Sequence, residues 1–140
     1  MRWDLFCRVI DNFGDIGVCW RLACDLGARG QTVRLWVDEP GALAWMAPGG
    51  ASGVTVVAWT DPPPDLTPGP VVIEAFRCNP PPGFVAAMAR RRPAPVWINL
   101  EYLSAEPWVA DHRGLPSPHP RLPLTRYFFF PGYTPDTGCL

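Results

Sequence analysis

The heptapeptide DNFGDIG, from Asp11 to Gly17, has the residue types and spacing best suited to chemistry. Its two carboxylates, Asp11 and Asp15, bracket Gly14, and the segment separates an apolar run, WDLFCRVI, from a helix-like run, VCWRLACDL. In an open α/β sheet, ligands bind beyond the carboxyl ends of the strands, so this first strand-to-helix turn is an expected site. A phosphate site needs backbone amides and positive charge, whereas this loop lacks both a lysine and the GxGxxG spacing. The loop is therefore predicted to hold a cationic or hydroxylated group.

A structural role for the same loop is the alternative interpretation. Asp15 is placed to cap the following helix, and Asp11 can accept hydrogen bonds from the amides of the turn. The two roles are compatible, because one carboxylate oxygen can cap a helix while the other faces a ligand. The other residues of the loop are expected to shape the turn, to permit close approach of a ligand, or to contact it: Asn12, Phe13, Gly14 and Gly17.

The rest of the chain predicts a parallel sheet that positions this loop. Apolar runs without alternation are typical of strands buried on both faces, as in parallel sheets covered by helices. The predicted strands are Leu5–Ile10, Thr32–Val37, Val54–Trp59, Val71–Phe76, Val96–Leu100 and Tyr127–Phe130. The predicted helices are one that follows the acidic loop and ends near Gly27 and Gly30, a short one at Pro40–Met46, and Phe84–Arg91. This alternation predicts an α/β fold, a Rossmann-like parallel sheet with flanking helices.

Composition argues against several classes of protein. The 140 residues suffice for one domain with a core, and 48% hydrophobic residues argue against disorder. The formal net charge of -1 gives no electrostatic reason to expect nucleic acid or a membrane as a partner. The five cysteines form no CxxC pair, the histidines number only two and no DxD motif occurs, so no metal is predicted. Without a signal-peptide pattern or an apolar run of transmembrane length, the expected location is cytoplasmic.

A second group of polar residues, EYLSAE, follows the fifth predicted strand. Strand ends on this side of a parallel sheet point toward the same cleft as the acidic loop. Glu101 and Tyr102 are therefore candidates to contact a partner, and Ser104 to hydrogen-bond it. The alternative is a helix start with Ser104 as its N-cap. The segment Glu101–Arg126 as a whole is predicted to be a long, proline-broken loop, and loops of that length are usually functional.

The segments WDLFCRVIDNFGDIGVCWRLA, VRLWVDE, VVIEAF, WINLEYLSAE and LPSPHPRLPLTRYFFFPGYTPDTG resemble, in family order, the elongation factor P maturation arginine rhamnosyltransferases, EarP. The resemblance implies the N-terminal domain of a GT-B glycosyltransferase, in which two Rossmann-like domains face each other across a cleft. It implies transfer of L-rhamnose from dTDP-β-L-rhamnose to an arginine of elongation factor P, with inversion and with no cofactor besides the donor substrate. In the family, the N-terminal domain grips the protein acceptor and the C-terminal domain holds most contacts to the nucleotide sugar.

The resemblance also implies roles for the acidic loop. Asp11 and Asp15 match the two functional aspartates of the family, and Asp15 matches its proposed general base. The chemistry is consistent, because a guanidinium is a poor nucleophile until a carboxylate orients it and accepts a proton as the C–N bond forms. We assign Asp15 as the base and Asp11 as its orienting and electrostatic partner.

The resemblance covers residues 1–140 as an acceptor domain, while the C-terminal nucleotide-sugar domain has no counterpart in this sequence. The chain alone is therefore expected to be inactive. One alternative is a module that binds elongation factor P without chemistry. A second is a fragment of a Rossmann nucleotide-binding oxidoreductase, which the missing glycine fingerprint disfavours.

Overall fold

The computed structural model describes residues 1–8, 13–39, 41, 49–60, 67–101 and 115–129, and within the first helix the side chains from Ile16 onward. Its strands are β1 (Arg2–Cys7), β2 (Thr32–Val37), β3 (Val54–Ala58), β4 (Val71–Ala75), β5 (Val96–Leu100), β6 (Pro116–Pro118) and β7 (Thr125–Phe129). Its helices are α1 (Phe13–Ala28) and α2 (Pro82–Arg90).

All seven strands form a single sheet in the order β3-β2-β1-β4-β5-β7-β6. Every pairing is parallel except that of β6 with β7, which is antiparallel. The strand order reverses between β1 and β4, which lie side by side with Phe6 opposite Glu74. The expected Rossmann-like parallel sheet with flanking helices is therefore confirmed.

The six predicted strands are all present, although β1 begins at Arg2, before the predicted start at Leu5. The edge strand β6 was not predicted, because prolines at both of its ends read as a loop and proline is compatible only with the edge of a sheet. The prediction of one long loop over Glu101–Arg126 is therefore wrong in its last part. The short helix predicted at Pro40–Met46 lies outside the described residues except for Gly41, which is helical.

Helix α1 packs on one face of the sheet. Its side chains Ile16, Cys19 and Ala23 are fully buried against residues of β1 and β2 such as Leu5 and Val33. Burial of this stripe, rather than local propensity, stabilises a helix that contains several glycines. The last turn of α1 approaches the chain before β3 closely: a Cβ on Gly27 would lie 2.4 Å from the Ser52 carbonyl oxygen.

Helix α2 packs on the opposite face, over a cluster of aromatic rings. Phe6 stacks on Trp36 with ring centroids 5.2 Å apart, and Phe84 of α2 meets Phe6 edge-on at 4.8 Å. Pro82 stands in the first turn of α2, where the missing amide hydrogen costs no helical hydrogen bond. The two helices on opposite faces leave both faces of the central strands covered, which explains why those strands show no alternation.

A buried ion pair lies on the α2 face, toward the amino ends of β1 and β2. Asp4, which is fully buried, accepts hydrogen bonds at Oδ1 from Arg34 Nε (2.5 Å) and Trp36 Nε1 (3.0 Å). Its Oδ2 accepts from Arg34 Nη2 (3.0 Å) and from the Gly69 amide (2.6 Å). Four donors thus satisfy the carboxylate, and the group holds β1, β2 and the segment before β4 together.

Candidate functional site

The reversal of strand order between β1 and β4 defines the candidate site. The chain leaves β1 for α1 on one face of the sheet and leaves β4 for α2 on the other face. Those two departures open a crevice at the carboxyl ends of the strands, which is where open α/β sheets bind ligands. The acidic loop belongs to the connection from β1 to α1, and its placement at this crevice stays a prediction because residues 9–12 lie outside the described residues.

The start of α1 corrects one part of the sequence interpretation. The helix begins at Phe13, so Asp15 lies inside the first turn and is not the N-cap. Gly14 and Gly17 are likewise helical rather than part of an extended turn. The first-turn amides of a helix have no intrahelical acceptor, and the helix dipole favours a carboxylate near them. An aspartate such as Asp15 is therefore compatible with the first turn as well as with the N-cap.

The remaining residues of the loop are only partly within the described structure. Asp11 and Asn12 lie outside the described residues, and so do the side chains of Phe13 and Asp15. Gly17 is half-buried in α1, one position after the buried Ile16. Tyr102 and Ser104 also lie outside the described residues, so their suggested contacts stay predictions.

Glu101 is fixed at the carboxyl end of β5. Its backbone amide donates to the carbonyl of Phe129 over 2.8 Å, which continues the pairing with β7. Its Oε1 accepts hydrogen bonds from Asn99 Nδ2 (2.8 Å) and from Arg77 Nε (2.7 Å), and its side chain is only 12% exposed. A carboxylate at this edge therefore binds a guanidinium already, that of Arg77.

The segment that carries Arg77 has an unusual backbone. Phe76 and Arg77 have φ of 57° and Asn79 has φ of 54°, in the left-handed region that non-glycine residues rarely adopt. The Arg77 amide donates to Asn99 Oδ1 over 2.8 Å, and its guanidinium lies 5.4 Å from the ring centre of Phe128. Strained backbone of this kind persists where surrounding contacts hold it and is typical of functional sites.

Glu74 provides one of those contacts from inside the sheet. It is fully buried, with Oε1 accepting from Arg126 Nη1 (2.6 Å) and Oε2 from the Asn79 amide (2.8 Å). Arg126 also donates to Asn79 Oδ1 over 3.2 Å. The carboxylate thereby joins β4 and β7 to the loop between β4 and α2. A buried charge is tolerated here because both of its oxygens are hydrogen-bonded.

Arg8 connects the end of β1 to the same loop. Its Nε donates to the Cys78 carbonyl over 3.1 Å, and its guanidinium lies 4.8 Å from the ring centre of Trp59. Burial, and then the Glu74 carboxylate, raise the pKa of the Cys78 thiol far above its ordinary value. Its Sγ donates to the Phe6 carbonyl at 3.4 Å. Cys78 is therefore a buried thiol and not a nucleophile at neutral pH.

Sequence reasoning missed Glu74, Asn99 and Arg77 as parts of this edge. A signal was present for two of them, because VVIEAF and VWINL each contain one polar residue in an otherwise apolar buried strand. A polar side chain at such a position needs a partner, and these two are paired across the sheet as Glu74↔Asn99. Arg77 reaches Glu101 from a left-handed backbone conformation, and the residue types of this segment do not predict that conformation.

The described residues contain no group of three or more His, Cys, Asp or Glu side chains placed to hold a metal ion. Neither described helix is long and apolar enough to cross a membrane. The fold and these contacts together define a Rossmann-like α/β domain with carboxylates, an amide and an exposed arginine at the carboxyl ends of β4 and β5.

Comparison with known proteins identifies the family. Residues 3–140 match the family described as Elongation-Factor P (EF-P) rhamnosyltransferase EarP. The chain is 50% identical over 147 residues to a protein-arginine rhamnosyltransferase of Pseudomonas putida, covering 99% of this chain and 39% of the relative. A protein of the same name from Shewanella oneidensis is 42% identical over 154 residues, with the same coverage, 99% and 39%. One from Neisseria meningitidis is 38% identical over 146 residues, covering 97% and 37%.

The chain belongs to the EarP family of rhamnosyltransferases. It spans about 39% of the length of the curated relatives it matches. The activity, substrates and partners of a whole enzyme are therefore matters of proposal for this chain.

Proposed function

We propose that this chain is the acceptor-binding part of an inverting protein-arginine rhamnosyltransferase of GT-B architecture. The reaction moves L-rhamnose from dTDP-β-L-rhamnose to an arginine side chain of elongation factor P. The observation that carries the proposal is the family match over residues 3–140, joined to a switch-point crevice at the start of α1. The donor would be held mainly by the C-terminal domain of that architecture.

The proposed chemistry assigns one step to the acidic loop. A guanidine nitrogen of the acceptor attacks the anomeric carbon of rhamnose, and the bond from that carbon to the diphosphate oxygen breaks. The diphosphate departs with the bonding electrons, and the nitrogen loses its proton to Asp15. Attack from the face opposite the leaving group inverts the anomeric centre. No cofactor or metal takes part in this scheme, and the donor is a substrate.

Asp11 holds the acceptor guanidinium for that step. Two carboxylates bind different edges of the planar group, disperse its positive charge and align one nitrogen with the sugar. The position of Asp15 in the first turn of α1 supports the assignment, since Asp15 is then not needed as the N-cap. Glu101 adds a third carboxylate to the acceptor side of the crevice, with Tyr102, Ser104 and the loop residues Asn12, Phe13, Gly14 and Gly17 as further contacts.

The acceptor is a translation factor, so the proposed location is the cytoplasm, and neither nucleic acid nor membrane is a proposed partner. The formal net charge of -1 agrees with a protein partner rather than a polyanionic one.

A non-catalytic module that binds elongation factor P is the second candidate. Both candidates predict that the chain binds elongation factor P, and they differ in whether it takes part in transfer when a donor domain is present.

A chimaera separates the two candidates. In it, residues 1–140 replace the matching segment of the Pseudomonas putida relative, and mass spectrometry follows elongation factor P in the presence of dTDP-β-L-rhamnose. We expect a rhamnosyl mass gain on one arginine with the chimaera and none with residues 1–140 alone. A chimaera that binds the acceptor but transfers nothing would support the module. Transfer by residues 1–140 alone would contradict the assignment of the donor site to another domain.

A further inference from the structure

A cavity of about 520 Å³ lies on the α2 face of the sheet, beside the loop that joins β4 to α2. Its walls are the start of α2, Trp97 of β5 and the hairpin of β6 and β7. The apolar lining residues are Pro80, Pro82, Val85, Trp97, Pro118 and Leu122. Asn79 and Arg126, the two residues that donate hydrogen bonds to Glu74, also line the cavity.

Two of the residues that line this cavity each carry a buried side-chain donor without a partner among the described residues. These donors are Trp97 Nε1 and Arg126 Nε. The Trp97 side chain belongs to a residue that is only 4% exposed, so water reaches it poorly. A buried donor left unpaired costs free energy, so each such group calls for a partner. Both donors call for the same kind of group, one that accepts hydrogen bonds.

His119 adds a third donor on the same wall. Its Nδ1 accepts hydrogen bonds from the amides of Arg121 (3.1 Å) and Leu122 (3.0 Å). An imidazole whose Nδ1 accepts carries its proton on Nε2, which is then a donor. The imidazole lies beside the indole of Trp97, with ring centres 6.5 Å apart.

The charges around the cavity favour an anion. Among the described residues, its lining includes two arginines, Arg121 and Arg126, and no aspartate or glutamate. The buried carboxylate of Glu74 pairs with Arg126 Nη1 over 2.6 Å and compensates its charge, so Arg121 supplies the remaining positive charge of the lining. The cavity therefore offers unpaired donors and positive charge, while its proline and tryptophan walls suit a short apolar stem.

We propose that this cavity binds an aspartate or glutamate side chain of the protein acceptor. The proposal rests on the proposed function for the identity of the partner, although the chemistry of the cavity stands apart from it. A carboxylate on a methylene stem satisfies the donors and packs against the walls. Asn79 lines the cavity and also belongs to the left-handed segment between β4 and α2, so the bound side chain lies next to the crevice. Its binding there helps to fix the position of the acceptor on the domain.

The first arm of the test measures the chemistry alone. The probe is N-acetyl-glutamate N-methylamide, titrated into the ¹⁵N-labelled chain, and the indole signal of Trp97 is assigned from its loss in Trp97→Phe. We expect this signal to shift with the glutamate probe and not with the neutral N-acetyl-glutamine N-methylamide. Equal response to both probes, or none to either, would overturn the carboxylate site.

The second arm measures binding of elongation factor P by calorimetry. We expect Trp97→Phe and Arg121→Gln each to weaken binding by about tenfold, the usual effect of removing a hydrogen bond to a charged group. The matched controls are Trp3→Phe, whose indole bonds Gln31 elsewhere (3.0 Å), and Arg29→Gln, whose guanidinium pairs with Asp25 on α1. Both controls should bind like the parent chain.

The exposed Arg121 keeps this arm decisive even if Trp97→Phe does not fold. If elongation factor P binds the parent chain and Arg121→Gln equally, the cavity proposal is wrong while the proposed function stands. If elongation factor P does not bind the parent chain at all, the proposed function loses its support. The proposed occupant is then refuted as well, and the probe arm still decides whether the cavity takes a carboxylate.

Discussion

Arg77 Nε donates to Glu101 Oε1 over 2.7 Å, so a guanidinium of the chain itself rests on a carboxylate at the crevice edge. The Arg77 side chain is 63% exposed, whereas that of Glu101 is 12% exposed. Because the guanidinium is largely in solvent, screening keeps the contribution of this ion pair to stability small. The pair does show that the carboxyl edge of the sheet accommodates a guanidinium between the Glu101 carboxylate and the ring of Phe128. The arginine of the proposed acceptor presents the same guanidinium group.

Replacing Arg77 should therefore affect acceptor binding before anything else. In the chimaera, Arg77→Gln frees Glu101 for the acceptor arginine, and we expect the KM for elongation factor P to fall about threefold with kcat nearly unchanged. Arg29→Gln, another exposed ion-paired arginine, is the matched control. Steady-state kinetics measure both constants. A raised KM would show instead that Arg77 holds Glu101 in its binding position.

The buried Asp4 group should carry a large share of the stability of the domain. Asp4→Asn removes the charge that faces Arg34 and leaves that guanidinium buried without its counter-ion, a loss of about 3–5 kcal/mol. Chemical denaturation followed by tryptophan fluorescence gives the free energy of unfolding. Asp25→Asn is the control, since its exposed pair with Arg29 should contribute about 0.5 kcal/mol or less. Similar effects of the two substitutions would contradict this account of the Asp4 group.

Cys78 should make stability depend on pH in alkaline solution. Burial and Glu74 raise the pKa of its thiol in the folded chain above the ordinary value of 9.0. The unfolded chain then loses this proton first, so the free energy of unfolding falls as pH rises past about 9. Below that pH both states are protonated and no dependence from this group remains. Unfolding measured from pH 8 to 10.5 should show a shallower decline for Cys78→Ala than for the parent chain, and parallel declines would exclude this cause.

Most of the fold could be predicted from residue patterns, because strands buried on both faces of a parallel sheet appear in the sequence as continuous apolar runs. Thr32–Val37 and Val96–Leu100 have the predicted bounds, since runs of apolar and β-branched residues end at polar or glycine-rich segments. The start of α1 was missed because Gly14 resembles a turn residue, whereas packing of Ile16 and Cys19 decides the helix. The strand β6 was missed because its prolines are compatible only with an edge position that the sequence does not reveal.

The site was predictable only where residue type alone carries the chemistry. The acidic loop is predicted to lie at the switch point, because a loop after the first strand has one place in this architecture. The contacts of Arg77, Glu74 and Arg126 join positions far apart in the chain, and the left-handed backbone at Phe76–Arg77 occurs together with those contacts. The partnerless donor of Trp97 likewise exists only once the sheet and the hairpin are folded.

If Asp11 and Asp15 both act on one guanidinium, their asparagine variants should differ in how far they lower acceptor binding and turnover. Asp11→Asn should weaken acceptor binding as well as turnover, because its proposed task is to hold the group. The double variant should lose less than the sum of the two single losses in activation free energy. Full additivity of the two losses would indicate that the residues act on separate groups.

The single-turnover rate of Asp15→Asn in the chimaera, measured beside its dissociation constant for elongation factor P, tests the central assignment most directly. The substitution keeps the size of the side chain and removes the base, and loss of a general base slows a reaction by about 10²–10⁴-fold. We predict a fall in rate within that range with acceptor affinity changed by less than about threefold. A rate near that of the parent chimaera would contradict Asp15 as the base. The same holds for a fall explained entirely by a lower melting temperature, which would leave the aspartate a purely structural role in the first turn of α1.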